Sequence, residues 1–98
     1  MGVYVLLSSL TDEGARTLSE KPERIKEVNR EVEELGAKVI AQYATLGRFD
    51  FLNLVEAPDD ETIARVSIAL SSRGTVRIET LTAIPIERFA KRLGARAS

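Results

Sequence analysis

The chain has 98 residues, and this length with 44% hydrophobic and 30% charged residues predicts one globular domain over residues 1–98 and excludes a disordered chain. The formal net charge of −1 argues against nucleic acid as a partner, because nucleic-acid-binding domains carry a strongly basic surface. Cysteine and histidine are both absent, which excludes disulfides, thiolate nucleophiles and Cys/His metal or haem ligands within the chain.

The first part of the chain predicts a strand followed by two helical segments. Residues 3–9 are β-branched and aromatic at their start, which is typical of a strand. Thr11 and the acidic residues after it have the composition of a helix start, and a longer helix follows Pro22. The longer helix carries one narrow apolar stripe, which consists of Ile25, Val28, Val32 and Leu35.

The second part predicts a hairpin, a helix, a strand and a short last helix. Residues 37–46 and 49–57 have the pattern of two strands joined by a tight reversal at Gly47-Arg48. The acidic residues 59–61 favour the start of the next helix, because negative charge stabilises a helix N-terminus. Residues 75–84 predict the fourth strand, and a short amphipathic helix follows it.

This order of elements predicts an α+β fold, the ferredoxin-like β-α-β-β-α-β sandwich with a C-terminal helix. Right-handed crossovers place both main helices on one face of a four-stranded antiparallel sheet. If water covered the opposite face, its side chains should be polar. Instead, the first strand is apolar on both alternating sides, with Val5 and Leu7 on one side and Tyr4 and Leu6 on the other.

The apolar second face predicts association of copies of the chain. An open apolar sheet face is larger than soluble monomers usually expose. We therefore expect a homodimer or higher homo-oligomer that packs sheet against sheet, by two-fold symmetry in the simplest case. The alternative is that the C-terminal helix folds back over this face.

Three stretches are distinctive when they are taken together: residues 43–51 (YATLGRFDF), 56–61 (EAPDDE) and 77–83 (RIETLTA). They resemble the corresponding stretches of the GYD domain family, a set of small uncharacterised proteins, and the resemblance extends over nearly the whole chain. It implies a dimeric α/β barrel. Phe49 stands where the family has its named Tyr, and Ile78 stands where Thr is common, so no role of that Tyr hydroxyl is transferred to this chain.

Four polar residues in the predicted strands are the candidate ligand-binding residues: Tyr43, Asp50, Arg77 and Thr80. Asp50 either acts as a base at the mouth of an apolar cavity or pairs with an arginine or with backbone groups of the turn. Arg77 either binds an anionic ligand through its bidentate guanidinium or forms an ion pair at the subunit interface. Tyr43 offers a hydroxyl to a ligand or is an interface aromatic, and Thr80 is most simply a strand former.

No catalytic residue, metal site or cofactor is predicted. The acidic run after Pro58 matches a helix start better than a metal cluster, and no phosphate-binding glycine motif is present. No apolar run is long enough to cross a bilayer and no leader pattern opens the chain, so we expect a cytoplasmic protein without a membrane partner.

Three functional hypotheses remain from the sequence. The favoured one is an oligomer that binds a small, possibly anionic ligand in a pocket on the sheet or at the interface, since the residues most often used in catalysis are missing. The second is a cofactor-free enzyme of the dimeric α/β-barrel type, an isomerase or a monooxygenase. The third is a structural or partner-binding module.

Overall fold

The computed structural model describes residues 1–94, so residues 95–98 of the predicted domain lie outside it. The described part of the chain forms four strands and four helices. In chain order they are β1 (Gly2–Leu10), α1 (Asp12–Glu20), α2 (Arg24–Glu34), β2 (Lys38–Ala44), β3 (Phe51–Ala57), α3 (Asp60–Ser71), β4 (Val76–Ala83) and α4 (Ile86–Gly94). The predicted order of elements is confirmed.

The strands form one antiparallel sheet in the order β2-β3-β1-β4, which confirms the predicted ferredoxin-like α+β architecture. Successive residues of β1 alternate between buried and half-buried, and the buried set points towards the helices. This set packs with α2 and α3 into one core, formed by Tyr4, Leu6, Val32, Ala37, Val55, Ala57, Ile63, Val66 and Leu70. The apolar stripe predicted for α2 therefore faces the sheet, with Val32 at its most buried point.

Helix α1 is held closely against the beginning of β4. Thr11 caps the helix by accepting a hydrogen bond from the Gly14 backbone N–H, as its position in the sequence predicts. The Thr11 backbone N–H donates to the Thr75 carbonyl oxygen, 3.0 Å away. A β-carbon at position 14 would lie 1.9 Å from that same oxygen, so the close approach of helix and strand requires glycine here.

The connection between β2 and β3 is longer than the predicted two-residue reversal. The strands end at Ala44 and restart at Phe51, and the loop between them is closed by a hydrogen bond from the Thr45 N–H to the Asp50 carbonyl oxygen, 2.8 Å long. In addition, the pairing register of β2 shifts between Val39 and Ala41, which places a bulge at Ile40. The strand pattern alone did not predict this irregularity.

The side of the sheet opposite the helices is apolar at its centre. We call this side the open sheet face and define it by Val3, Val5, Leu7, Leu52, Leu54 and Leu81. Five of these side chains are half-buried by their neighbours, and Leu81 is 43% exposed. No other part of residues 1–94 buries this face, so the alternative in which the C-terminal helix folds back over it is not what the structure shows.

Helix α4 extends away from the rest of the domain. None of its residues is buried, and the described chain measures 57 × 29 × 19 Å. The radius of gyration is 15.3 Å, compared with about 13 Å for a compact domain of this size. The elongation shows that α4 contributes little to the core.

Candidate functional site

The four sequence-predicted ligand residues do not meet in one place. Tyr43 and Arg77 both lie on the side of the open sheet face, but Tyr43 is on β2 and Arg77 is on β4, at opposite edges of the sheet. Three strand spacings separate them, which is about 14 Å. Within one chain, a small ligand in contact with one of these side chains does not reach the other.

Asp50 lies at the end of the loop between β2 and β3, where its carboxylate binds the backbone. Its Oδ2 atom accepts a hydrogen bond of 2.7 Å from the Leu10 N–H, and its own N–H donates to the Ser8 carbonyl oxygen at 2.8 Å. Both bonds connect the loop to the end of β1. The Asp50 carboxylate thus accepts a hydrogen bond from the backbone, but the donor lies at the end of β1 and not in the turn.

Thr80 lies on the helix-facing side of β4. Its hydroxyl shares a hydrogen bond of 2.7 Å with the Ser67 hydroxyl on α3. This side is opposite to the one that carries Arg77 and Glu79. The sequence pattern placed Thr80 and Arg77 on different faces but did not show which face meets the helices. In the structure, the face that carries Thr80 meets them.

An exposed apolar stripe lies along α4. Ile86, Phe89 and Leu93 follow a helical spacing, and they are 68%, 46% and 60% exposed. Arg88, Lys91 and Arg92 add positive charge along the same short helix. A helix with a continuous apolar stripe and no contact that buries it has the surface of a docking element for another protein.

Sequence reasoning missed one polar pair that joins distant parts of the fold. The buried Tyr4 side chain on β1 donates a 2.5 Å hydrogen bond from its hydroxyl to Oδ1 of Asp60, the first residue of α3. The bond to Asp60, together with burial, raises the pKa of Tyr4 to about 12. This hydroxyl is therefore a weaker acid than an ordinary tyrosine, and its contact is structural.

The acidic run at the start of α3 caps the helix. Asp59 Oδ1 accepts hydrogen bonds from the Thr62 N–H and hydroxyl at 2.8 and 2.6 Å. Within residues 1–94, no group of three or more acidic side chains is arranged to hold a metal ion. The described helices are all too short or too polar to span a bilayer.

Comparison with known proteins agrees with the fold and identifies the family. The crystal structure of TTHA0845 from Thermus thermophilus superimposes with a TM-score of 0.57 over 87% of this chain and 95% of that chain, at 24% identity, which shows a shared fold. The chain is also 53% identical, over 95% of its length and 99% of the relative's, to the glutamine synthetase and cystathionine beta-lyase binding protein of Thermus thermophilus. The model of the GYD domain matches residues 4–93. The chain belongs to the GYD domain family.

Proposed function

We propose that this protein is a binding protein whose partners are enzymes, with glutamine synthetase and cystathionine beta-lyase as the first candidates. The observation that carries the proposal is the 53% identity, over nearly the full length of both chains, to a relative named for binding these two enzymes. The sequence pattern had put the emphasis on a second copy of the chain and a small ligand. A protein partner is the third hypothesis from the sequence, and it becomes the preferred one because the relative is named for binding two enzymes.

Helix α4 is the surface that we assign to the enzyme. Its apolar stripe has the spacing of anchors that insert into a groove of a partner, and its exposed position leaves the whole stripe accessible. Its basic residues stand out on a chain whose net charge is −1. The complementary site on the enzyme is therefore an apolar groove with an acidic rim.

Binding to the enzyme is tested with the source organism's glutamine synthetase and cystathionine beta-lyase, by titration calorimetry of each with this protein. We expect Phe89→Ala to weaken binding about tenfold or more, because a large aromatic anchor contributes a major share of a small interface. Ile68→Ala is the matched control, since Ile68 is 71% exposed and belongs to α3 rather than α4. Absence of a complex with either enzyme, or equal losses in both variants, would contradict the proposal.

The open sheet face is the surface that we assign to a second copy of the chain. Its apolar residues lie side by side across three strands, with Val5 directly between Leu54 and Leu81. Two such faces packed together by two-fold symmetry remove these apolar side chains from water, and they form the dimeric α/β barrel that the sequence resemblance implies. The two α4 helices then remain free for the enzymes.

Analytical ultracentrifugation tests this assembly. Leu81→Glu places a charge on the open sheet face at a position that is already 43% exposed in the single chain, so the domain still folds. We expect the wild type to sediment as a dimer and Leu81→Glu as a monomer, because an unpaired charge inside an interface is costly to bury. Ile68→Glu, the same change on α3, should remain dimeric. A monomeric wild type would refute the sheet-to-sheet dimer.

A small anionic ligand at Arg77 is a second candidate function. The guanidinium of Arg77 has no ion-pair or hydrogen-bond partner among residues 1–94 and lies beside the open sheet face, which leaves its bidentate fork available to a carboxylate. A thermal-shift screen of small carboxylates on the wild type and on Arg77→Ala tests it. Tyr43, Asp50 and Thr80 lie elsewhere in the single chain, and the cofactor-free enzyme stays a hypothesis.

A further inference from the structure

The open sheet face carries opposite charges at two diagonally opposite corners. Glu56 continues the apolar row of β3 on this side, because alternate residues of a strand point the same way, and it lies beside Val3 of β1. Arg77 of β4 lies beside Ser9, near the other end of β1. Two strand spacings and most of the length of β1 separate the two charges, which is about 20 Å.

Neither charge is neutralised within the described chain. The three ion pairs of residues 1–94 involve Arg24 and Arg73, and not Glu56 or Arg77. The side-chain hydrogen bonds of the same residues do not include Glu56 or Arg77 either. When a second copy covers the open sheet face, both charges lose water, so each needs a counter-charge from that copy.

The two-fold axis of a sheet-to-sheet dimer can run along the strands, across them or diagonally. An axis along the strands lays β3 over β1 of the partner subunit, which places Glu56 over the apolar Val3. An axis across the middle of the strands lays β3 over itself, which brings Glu56 to the end occupied by Asp50, another acid. In that arrangement Arg77 lies over Ala83 at the far end of β4. Both arrangements bury the charges without a partner.

A diagonal axis combines the apolar contact with a charge pair. The midpoint between the two charges falls on β1 between Val5 and Leu7, in the middle of the open sheet face. A line through this midpoint at right angles to the line that joins the charges runs close to Leu52 of β3 and Leu81 of β4. Rotation about this line therefore lays the apolar side chains of the two copies on one another.

We infer that the two-fold axis crosses the open sheet face diagonally, so that Glu56 of each copy forms an ion pair with Arg77 of its partner. The symmetry makes two such pairs per dimer, one on each side of the apolar centre. The guanidinium of Arg77 can bind the carboxylate through two parallel hydrogen bonds, and a free small carboxylate would compete for the same site. This arrangement rests on the proposed sheet-to-sheet dimer and specifies its orientation.

Charge reversal, read by analytical ultracentrifugation of the full chain, tests the pairing. We expect Glu56→Arg and Arg77→Glu each to weaken dimerisation about a hundredfold or more, since two close charge pairs are lost per dimer. The double reversal in one chain restores both pairs with exchanged signs and should dimerise within about tenfold of the wild type. Interaction within one chain does not explain such a rescue, because about 20 Å exceeds the screening length of about 8 Å.

Arg65→Glu on α3 and Glu33→Arg on α2 are the matched controls. Both residues are exposed on helices, away from the open sheet face, and both variants should dimerise as the wild type does. A double reversal that dimerises as weakly as the single ones overturns the pairing. A monomeric wild type refutes the dimer itself, so failure of the orientation and failure of the dimer are distinguishable.

Cross-linking tests the same orientation without a reversed charge. The chain has no cysteine, so Glu56→Cys and Arg77→Cys each introduce a single thiol per copy. The two variants are refolded together and treated with a short bismaleimide. We expect a cross-linked dimer from the mixture and not from either variant alone, because equal positions of the two copies lie about 20 Å apart. Cross-linking of either variant with itself, or none in the mixture, overturns the diagonal arrangement.

Discussion

The hydroxyl of Tyr4 on β1 donates to the carboxylate of Asp60 at the beginning of α3, and these two residues are 56 positions apart in the chain. The bond joins a central strand to the helix that covers it. Only the protonated hydroxyl can donate, so this link is sensitive to alkaline pH.

We predict that Tyr4 titrates near pH 12, as its hydrogen bond to Asp60 dictates. Because the folded-state pKa is above the ordinary value of about 10, the stabilisation is complete below pH 10 and is lost as the pH rises through about 12. The chain has two tyrosines, so in Tyr43→Phe the tyrosinate absorbance reports Tyr4 alone. A titration midpoint near 10 in that variant would contradict the prediction. The converse variant Tyr4→Phe should lose the alkaline dependence.

The carboxylate of Asp50 is predicted to stabilise the fold through the Leu10 N–H, which donates to it at 2.7 Å. In Asp50→Ala this donor loses its partner, and the free energy of unfolding should fall by about 2 kcal/mol. Asp50→Asn retains an acceptor oxygen and should lose less. Urea denaturation of the three proteins measures both changes, and an Ala variant as stable as the Asn variant would show that the bond is unimportant.

Substitution of Gly14 is predicted to destabilise the protein although it lies in a helix. Gly→Ala in an exposed helix normally stabilises by up to about 1 kcal/mol. Here the added methyl group would meet the Thr75 carbonyl oxygen at 1.9 Å, so α1 must move away from β4 and Gly14→Ala should lose about 2 kcal/mol. Gly94→Ala, with nothing within 4 Å, is the control and should change stability by less than about 0.5 kcal/mol. Thermal unfolding of both variants measures these changes, and a Gly14→Ala variant as stable as the wild type would contradict the prediction.

Acid should weaken the start of α3. The hydrogen bonds from Thr62 hold the pKa of Asp59 below its ordinary value. The stabilisation by this carboxylate is therefore present above about pH 4 and is lost as the pH falls through the lowered folded-state pKa. Asp59→Asn keeps a capping oxygen that does not titrate, so its unfolding midpoint should depend less on pH below about pH 4 than that of the wild type. Parallel pH profiles from urea denaturation would refute this.

The order of the elements was predictable because each one carries a local signal. The apolar stripe of α2 has helical spacing, and the polar starts of α1 and α3 hold the caps Thr11 and Asp59. The apolar residues on both sides of β1 predicted the open sheet face. These features depend on neighbours in the sequence, which is why a single sequence reveals them.

The parts that sequence did not reveal depend on contacts between distant residues. Nothing near Tyr4 indicates Asp60 as its partner, and nothing near Asn53 indicates that its amide oxygen would be left without a donor. The open hypotheses for Asp50 required the position of Leu10, 40 residues earlier. The amphipathic pattern of α4 was visible, but a pattern does not say whether the helix packs on its own domain or projects from it.

The bulge at Ile40 affects whether further molecules can add strands to the edge of the sheet. β2 is an edge strand, and Ile40 is 49% exposed there, so a regular β2 would offer an apolar template for strand addition by another molecule. The bulge breaks the ladder and twists the edge at that point. At the other edge, β4 carries the charged side chains of Arg77 and Glu79. Both edge strands therefore oppose the strand-by-strand addition of other molecules that builds a fibril.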